Sequence, residues 1–223
     1  MREIALDTET TGFDPSQGHR IVEIGCVELL NHVPTGRTYQ VYINPERDMP
    51  TEAFEVHGLS DEFLSEKPVF SEIAEPFLAF LADSRLVIHN ASFDMGFINA
   101  ELKGVQKPSV APARALDTVI MARKKFPGSP ANLDALCRRF QIDISDRTLH
   151  GALKDARLLA DVYLELLGGR QPGLKLASKE AQKAIAQFRR ERPPRILAPS
   201  PDEEKAHADF LGKLTDPIWR GAE

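Results

Sequence analysis

Apolar side chains crowd the start of the chain and stop abruptly at acid, Ile4-Ala5-Leu6 running straight into Asp7-Thr8-Glu9. A bounded run of this length predicts a buried strand over residues 3–7. Residues 20–30 read as a second strand, with Ile21-Val22-Glu23-Ile24-Gly25-Cys26-Val27 mostly apolar. Residues 31–36 read as a hairpin loop, and 37–43 alternate as a returning strand. Residues 44–60 lack clean periodicity and hold Pro45 and Pro50, which predicts a loop with a short helix. Phe70, Ile73, Phe77 and Leu81 then recur at helical spacing. Leu86-Val87-Ile88 is a short buried strand ending at His89-Asn90, and Ser92 is placed to cap a helix reaching about Lys103. A strand at 114–117 precedes a helix that Pro127-Gly128 ends. Further helices are expected over 133–140 and from 151 to about Leu167, the last one stopped by Gly168-Gly169. Hairpin strands followed by strands alternating with helices imply an α/β fold, a mixed sheet with antiparallel N-terminal strands and helices on its faces.

Composition narrows this only a little. With 223 residues, 42% of them hydrophobic, the chain can hold one ordinary domain, expected over 1–168, and an appendage over 169–223. Cys26 and Cys137 each lie in an apolar segment, which predicts buried free thiols in a reducing cytoplasm. The chain starts directly in a strand with no basic-then-apolar leader. No apolar stretch approaches the roughly 18 residues of a membrane span, so no membrane partner is expected. The net charge of −5 argues against a generic, charge-driven nucleic-acid binder. Residues 169–223 hold 11 Lys+Arg against 8 Asp+Glu, leaving 17 against 25 in residues 1–168, a net of −8 for the body. An acidic body suits a carboxylate metal site.

Asp7 and Glu9 stand at i and i+2 on an extended segment, so both point to one face. Like charges that close raise each other's pKa unless a cation sits between them. A divalent ion held by carboxylates is one solution; a solvated strand end is the plainer reading, and the pair alone does not choose. Asp94 falls in the first turn of an expected helix, where an acid is also a dipole partner worth about 0.3–1 kcal/mol. His150 precedes the longest expected helix and, alone, reads as a capping or packing residue. Asp155 lies about one turn into that helix among Ala152, Leu158 and Leu159, where an unpaired carboxylate is costly. Together, four carboxylates and one imidazole suit metal-assisted phosphodiester hydrolysis. Two ions about 3.5–4 Å apart stabilise the attacking and leaving oxygens, and a neutral imidazole takes the proton. Calcium storage would need more ligands in one loop, and glycoside hydrolysis needs two carboxylates and no metal.

Leu-Asp-Thr-Glu-Thr-Thr-Gly at 6–12, His-Asn-Ala-Ser-Phe-Asp at 89–94 and His-Gly-Ala-Leu-Lys-Asp at 150–155 resemble, in order and spacing, the DEDDh 3′→5′ exonucleases. The resemblance covers residues 3–168. Within that family, Ala-Phe-Glu-Val-His-Gly at 53–58, Leu-Asp-Ala-Leu-Cys at 133–137 and Thr-Leu-His-Gly-Ala at 148–152 are similar to the epsilon proofreading subunits of bacterial DNA polymerase III. The resemblance implies a ribonuclease-H-like fold, 3′→5′ removal of nucleotides from a DNA terminus, and two divalent ions, Mg²⁺ or Mn²⁺. By position, Asp7 would bridge both ions, Glu9 and Asp155 would complete the tighter site, Asp94 would serve the second, and His150 would be the general base. Thr8, Thr10 and Gly12 would line the terminal nucleotide through backbone groups, Gly12 permitting close approach. Glu52 and His57 match positions that contact that nucleotide; otherwise a Glu and a His in a loop are simply solvated. Phe13 would stack as a wedge on the last base, its alternative being a core anchor. The same five residues would equally serve an enzyme trimming RNA 3′ ends. A third reading, a mainly structural subunit linking polymerase to clamp, has no need of four gathered carboxylates.

Past residue 168 the chain is interrupted by Pro172, Pro193, Pro194, Pro199, Pro201 and Pro217, with one basic helix expected over about 178–192. Gln171, Leu174 and Leu176 resemble the short peptides that bind the bacterial sliding clamp, since an extended segment with two apolar anchors can enter a hydrophobic groove. The pattern is also common by chance and lacks an aromatic. Ile196, Leu197, Phe210, Leu211, Leu214, Ile218 and Trp219 are too sparse for a core and are expected to fold on a partner. By resemblance that partner would be the polymerase catalytic (alpha) subunit, making 169–223 an interaction tail.

Overall fold

The computed structural model describes residues 1–145, 149–169 and 198–215. Five strands form one sheet in the order β3-β2-β1-β4-β5: β1 (Arg2–Thr10), β2 (Ile21–Leu30), β3 (Val33–Tyr42), β4 (Arg85–Ile88) and β5 (Ala115–Asp117). β2 runs antiparallel to both β1 and β3, whereas β4 runs parallel to β1 and β5. The sheet is therefore mixed, as the hairpin opening and the later strand–helix alternation imply. Its helices are α1 (Thr51–His57), α2 (Asp61–Ser65), α3 (Phe70–Leu81), α4 (Ala91–Gly104), α5 (Thr118–Lys125), α6 (Leu133–Phe140) and α7 (Ala152–Leu166).

Successive side chains of β1 go to opposite faces, and each face has its own core. Ile4 and Leu6 join Phe70, Phe77, Phe97 and Ile98 of α3 and α4. Ala5 joins Val27 and Val87 with Ala156, Leu159, Ala160 and Tyr163 of α7. Glu3, on the α7 face, is fully buried yet satisfied, accepting from the Tyr163 hydroxyl at 2.8 Å while His32 Nδ1 lies 2.6 Å away. Cys26 and Cys137 are buried and neither is in a disulfide. Burial drives the Cys26 thiol pKa far up, with the Asp7 charge adding to it.

Two local expectations need correction, and one short helix lies where none is expected. The loop between β2 and β3 is not 31–36: Asn31 and His32 alone turn the chain, both at positive φ of 51° and 70°, as a tight twisted hairpin turn requires. The register shift between Val27 and Leu29 then leaves extra residues in β3, around Gly36 at φ 90°. The proline-containing segment gives α1 as expected, but α2 follows it, capped by the Ser60 side chain accepting from the Phe63 N–H. Ser92 does not cap α4. The helix starts at Ala91 after Asn90 in the left-handed region, and the cap comes from elsewhere, as described below.

The chain divides into compact units of Met1–Gly173 and Leu174–Glu223. In the second, α8 (Pro201–Leu211) begins with a capping box, Ser200 and Glu203 each satisfying the other's backbone N–H. That signal, with Pro201 at the first turn, is legible in the sequence and went unread. None of the residues of α8 is buried, and Phe210 is 58% exposed. The expected helix near 178–192 and the Gln171, Leu174, Leu176 motif lie outside the described residues. Among the described residues, no helix is long and apolar enough to cross a membrane.

Candidate active site

The two faces of β1 meet at its C-terminal end, and the five expected residues meet there too. Asp7, Glu9, Asp94, His150 and Asp155 line one open cleft of about 380 Å³. Asp7 and Glu9 pair across the sheet with Gly25 and Glu23. Thr8, pointing the other way, donates its hydroxyl to Asp94 Oδ1 on α4 at 2.7 Å. His150 Nδ1 lies 3.2 Å from Asp155 Oδ2. One ligand atom from each of Glu9, His150 and Asp155 falls within 4.8 Å of the others.

Electrostatics in the cleft favour a cation. Glu9, Asp94 and Asp155 are buried, and no Lys or Arg is among the described residues that line the cleft. Burial pushes the Asp94 carboxyl up to about 7 against the pull of the Thr8 hydroxyl, and the Asp117 charge adds to the rise. A group held this far from its ordinary range gains most from a positive partner. The donors are mainly hard carboxylate oxygens, the set that suits a hard divalent cation rather than a soft metal.

A second hollow, of about 320 Å³, shares Thr8, Glu9 and Phe93 with the cleft. Thr10, Gly12, Phe13, Glu52 and His57 all line it, so the structure gathers every expected substrate residue beside the carboxylates. Phe13 is 87% exposed and is not a core anchor. His57 is 6% exposed, the reverse of a solvated loop histidine. Burial lowers its pKa, the Thr10 carbonyl pulls upward without reaching hydrogen-bond geometry, and His150 nearby adds to the lowering. The neutral ring accepts from the Leu59 N–H at Nδ1, so its proton is on Nε2, which has no partner among the described residues. Gly12 does admit a close neighbour, but that neighbour is the His19 ring, into which a Cβ at Gly12 would run.

Several supporting residues escaped the sequence reading. Asp117, at the end of β5, accepts from Val119 and Ile120 at the start of α5 and from Asn90 and Ala91 at the start of α4. One carboxylate thus caps two helices and sets the turn that carries Asp94. His89, whose pKa burial lowers, lines the cleft with Nδ1 2.9 Å from the Thr118 hydroxyl. Glu23, 2% exposed, accepts from the buried Ala152 N–H at 3.1 Å and from Gln40, seating the start of α7 between His150 and Asp155. Glu23→Ala strands that N–H and is expected to destabilise the fold by about 1–3 kcal/mol, whereas Glu23→Gln keeps an acceptor; equal thermal unfolding of the two variants would contradict this. Just before α7, the His150 N–H donates to the Val56 carbonyl of α1 at 3.1 Å, and Leu149 covers Gly58.

The mixed five-stranded sheet with its flanking helices has the ribonuclease-H-like fold, with carboxylates gathered where β1 ends. A family profile described as Exonuclease matches residues 4–163, and the chain belongs to that exonuclease family, whose DEDDh members use divalent metal ions. Within it the chain groups with the epsilon subunits of DNA polymerase III. It is 52% identical to DNA polymerase III subunit epsilon of Rickettsia conorii, over 96% of each chain. It is 49% identical to the subunit of the same name from Salmonella typhimurium over 177 residues, 76% of this chain and 72% of the other. Among solved structures, the nuclease domain of 3′hExo, a DEDDh family member bound to rAMP, shares the fold with a TM-score of 0.62 at 18% identity, covering 74% of this chain and 91% of that one.

Proposed function

We propose that the cleft at the end of β1 removes nucleotides from the 3′ end of DNA, and that the protein does so as the proofreading subunit of a bacterial replicative polymerase. The observation that carries the chemistry is the convergence of four carboxylates and one imidazole in a cleft with no cationic lining among the described residues. Asp7, Glu9, Asp94 and Asp155 would hold two divalent ions, Mg²⁺ or Mn²⁺. When bound, the ions supply positive charge for the attacking and leaving oxygens of an in-line displacement.

The remaining work belongs to the chain. Asp155 holds the Nδ1 side of His150, which makes Nε2 the nitrogen that takes a proton from the attacking water. The neighbouring hollow seats the terminal nucleotide. There Thr8, Thr10 and Gly12 offer backbone, and Glu52 and His57 form part of the wall against the nucleotide. Phe13, exposed beside it, stacks on the last base. Through its C-terminal tail the protein joins the polymerase alpha subunit, and Gln171, Leu174 and Leu176 dock on the sliding clamp.

Purified protein with Mg²⁺ or Mn²⁺ is expected to shorten 3′-mismatched DNA faster than matched DNA or short RNA. His150→Ala is expected to lose about 10²–10⁴-fold in turnover while calorimetry still records metal binding. No metal-dependent loss of 3′ nucleotides would reject the activity, and a strong preference for short RNA would turn the assignment to RNA trimming. Loss of metal binding in His150→Ala would make the ring a ligand. For the tail, unchanged clamp capture by Leu174→Ala/Leu176→Ala would reject the docking motif.

A further inference from the structure

Positive charge lies next to the cleft, although no Lys or Arg among the described residues lines it. α6 begins at the cleft with Leu133 and Asp134 and carries Arg138 and Arg139 in its last turn. A hollow of about 690 Å³ there is lined by Pro130, Asn132, Ala135, Arg138 and Arg139. Asn132 also lines the cleft, so the two adjoin. Three hollows thus follow one another: the one by His57, the acidic cleft, and the basic one. Both arginines are exposed, and among the described residues neither lies within ion-pair distance of a carboxylate. The Arg139 guanidinium sits 4.4 Å over the Phe126 ring, which orients it without neutralising its charge. In a body of net charge −8 over residues 1–168, two such arginines side by side are ground on which a polyanion can rest.

We propose that the Arg138 and Arg139 hollow is the track for the phosphates on the 5′ side of the scissile bond. The inference rests on the function proposed above. With the terminal nucleotide beside His57 and the scissile phosphate at the carboxylates, the strand continues from the cleft's other flank, at Asn132. A guanidinium grips a phosphate through two parallel N–H···O bonds. Such contacts set register and carry no sequence information, which suits an enzyme that must process any base.

The test compares wild type with Arg138→Glu/Arg139→Glu on two substrates, thymidine 5′-(p-nitrophenyl phosphate) and ten-nucleotide single-stranded DNA. The variant is expected to hydrolyse the ester like wild type, which also shows that it is folded. On the ten-mer, kcat/KM is expected to fall about tenfold at low salt, and the slope of its logarithm against log salt to shrink by about 1.4, two single-strand contacts' worth. Fluorescence polarisation of the labelled ten-mer in EDTA is expected to show the same weakening with no metal present. Equal losses on ester and ten-mer, or no loss on the ten-mer, would overturn the track. Failure of wild type to hydrolyse either substrate with metal would instead overturn the function on which it rests.

Discussion

Alanine at Gly25 is expected to unseat α7 and abolish hydrolysis by adding one methyl group. Gly25 lies opposite Asp7 in the β1–β2 pairing, and a Cβ there would overlap the main chain of Ala152 and Leu153. Main chain cannot swing aside as a long side chain does, so the first turn of α7 must move. That turn follows His150 and leads into Asp155. Overpacking of this kind costs about 3 kcal/mol, which lowers Tm by roughly 6–12 °C in a domain of this size. Scanning calorimetry and a 3′-end assay together check it. A Tm within about 2 °C of wild type with full turnover would mean that α7 does not need this seat.

Asp94→Asn is expected to separate folding from activity. The Asp94 carboxyl is buried, with a folded pKa of about 7 against an ordinary 3.8. Between those values the folded state binds a proton that the unfolded chain does not, so stability from this group is present in acid and lost as pH rises through 7. Asparagine has no charge to bury and keeps an oxygen for the Thr8 hydroxyl. At pH 8 without metal the variant is therefore expected to gain on the order of 2 kcal/mol over wild type, the gain shrinking as the pH falls toward 4. Hydrolysis is expected to drop about a thousandfold, roughly 4 kcal/mol of barrier, and added Mg²⁺ to stabilise the variant less than wild type. Urea unfolding at pH 5 and 8 decides it: a variant weaker than wild type at pH 8 would contradict burial as the cause of the raised pKa.

What the sequence discloses of this site is what local spacing can encode. Asp7 and Glu9 share a face because β residues alternate, and that rule needs no knowledge of the rest of the fold. The strands and helices around them announce themselves through apolar period and through stops such as Pro127-Gly128. Glu23 is different: its hydrogen bond to Ala152 spans 129 positions, and nothing near it in the chain indicates that it seats the start of α7. Ser92 shows the same limit from the other side. A local rule makes it a cap, yet the N–H groups at the start of α4 are taken by Asp117. Phe13 and His57 exchange the burial their residue types suggest, because place in the fold, and not residue type, decides it.

The bond from the His150 amide to Val56 ties that residue's backbone to the helix that walls the neighbouring hollow. On the proposed function, a variant that displaces α1 is therefore expected to misalign the base, with its loss appearing in kcat more than in KM.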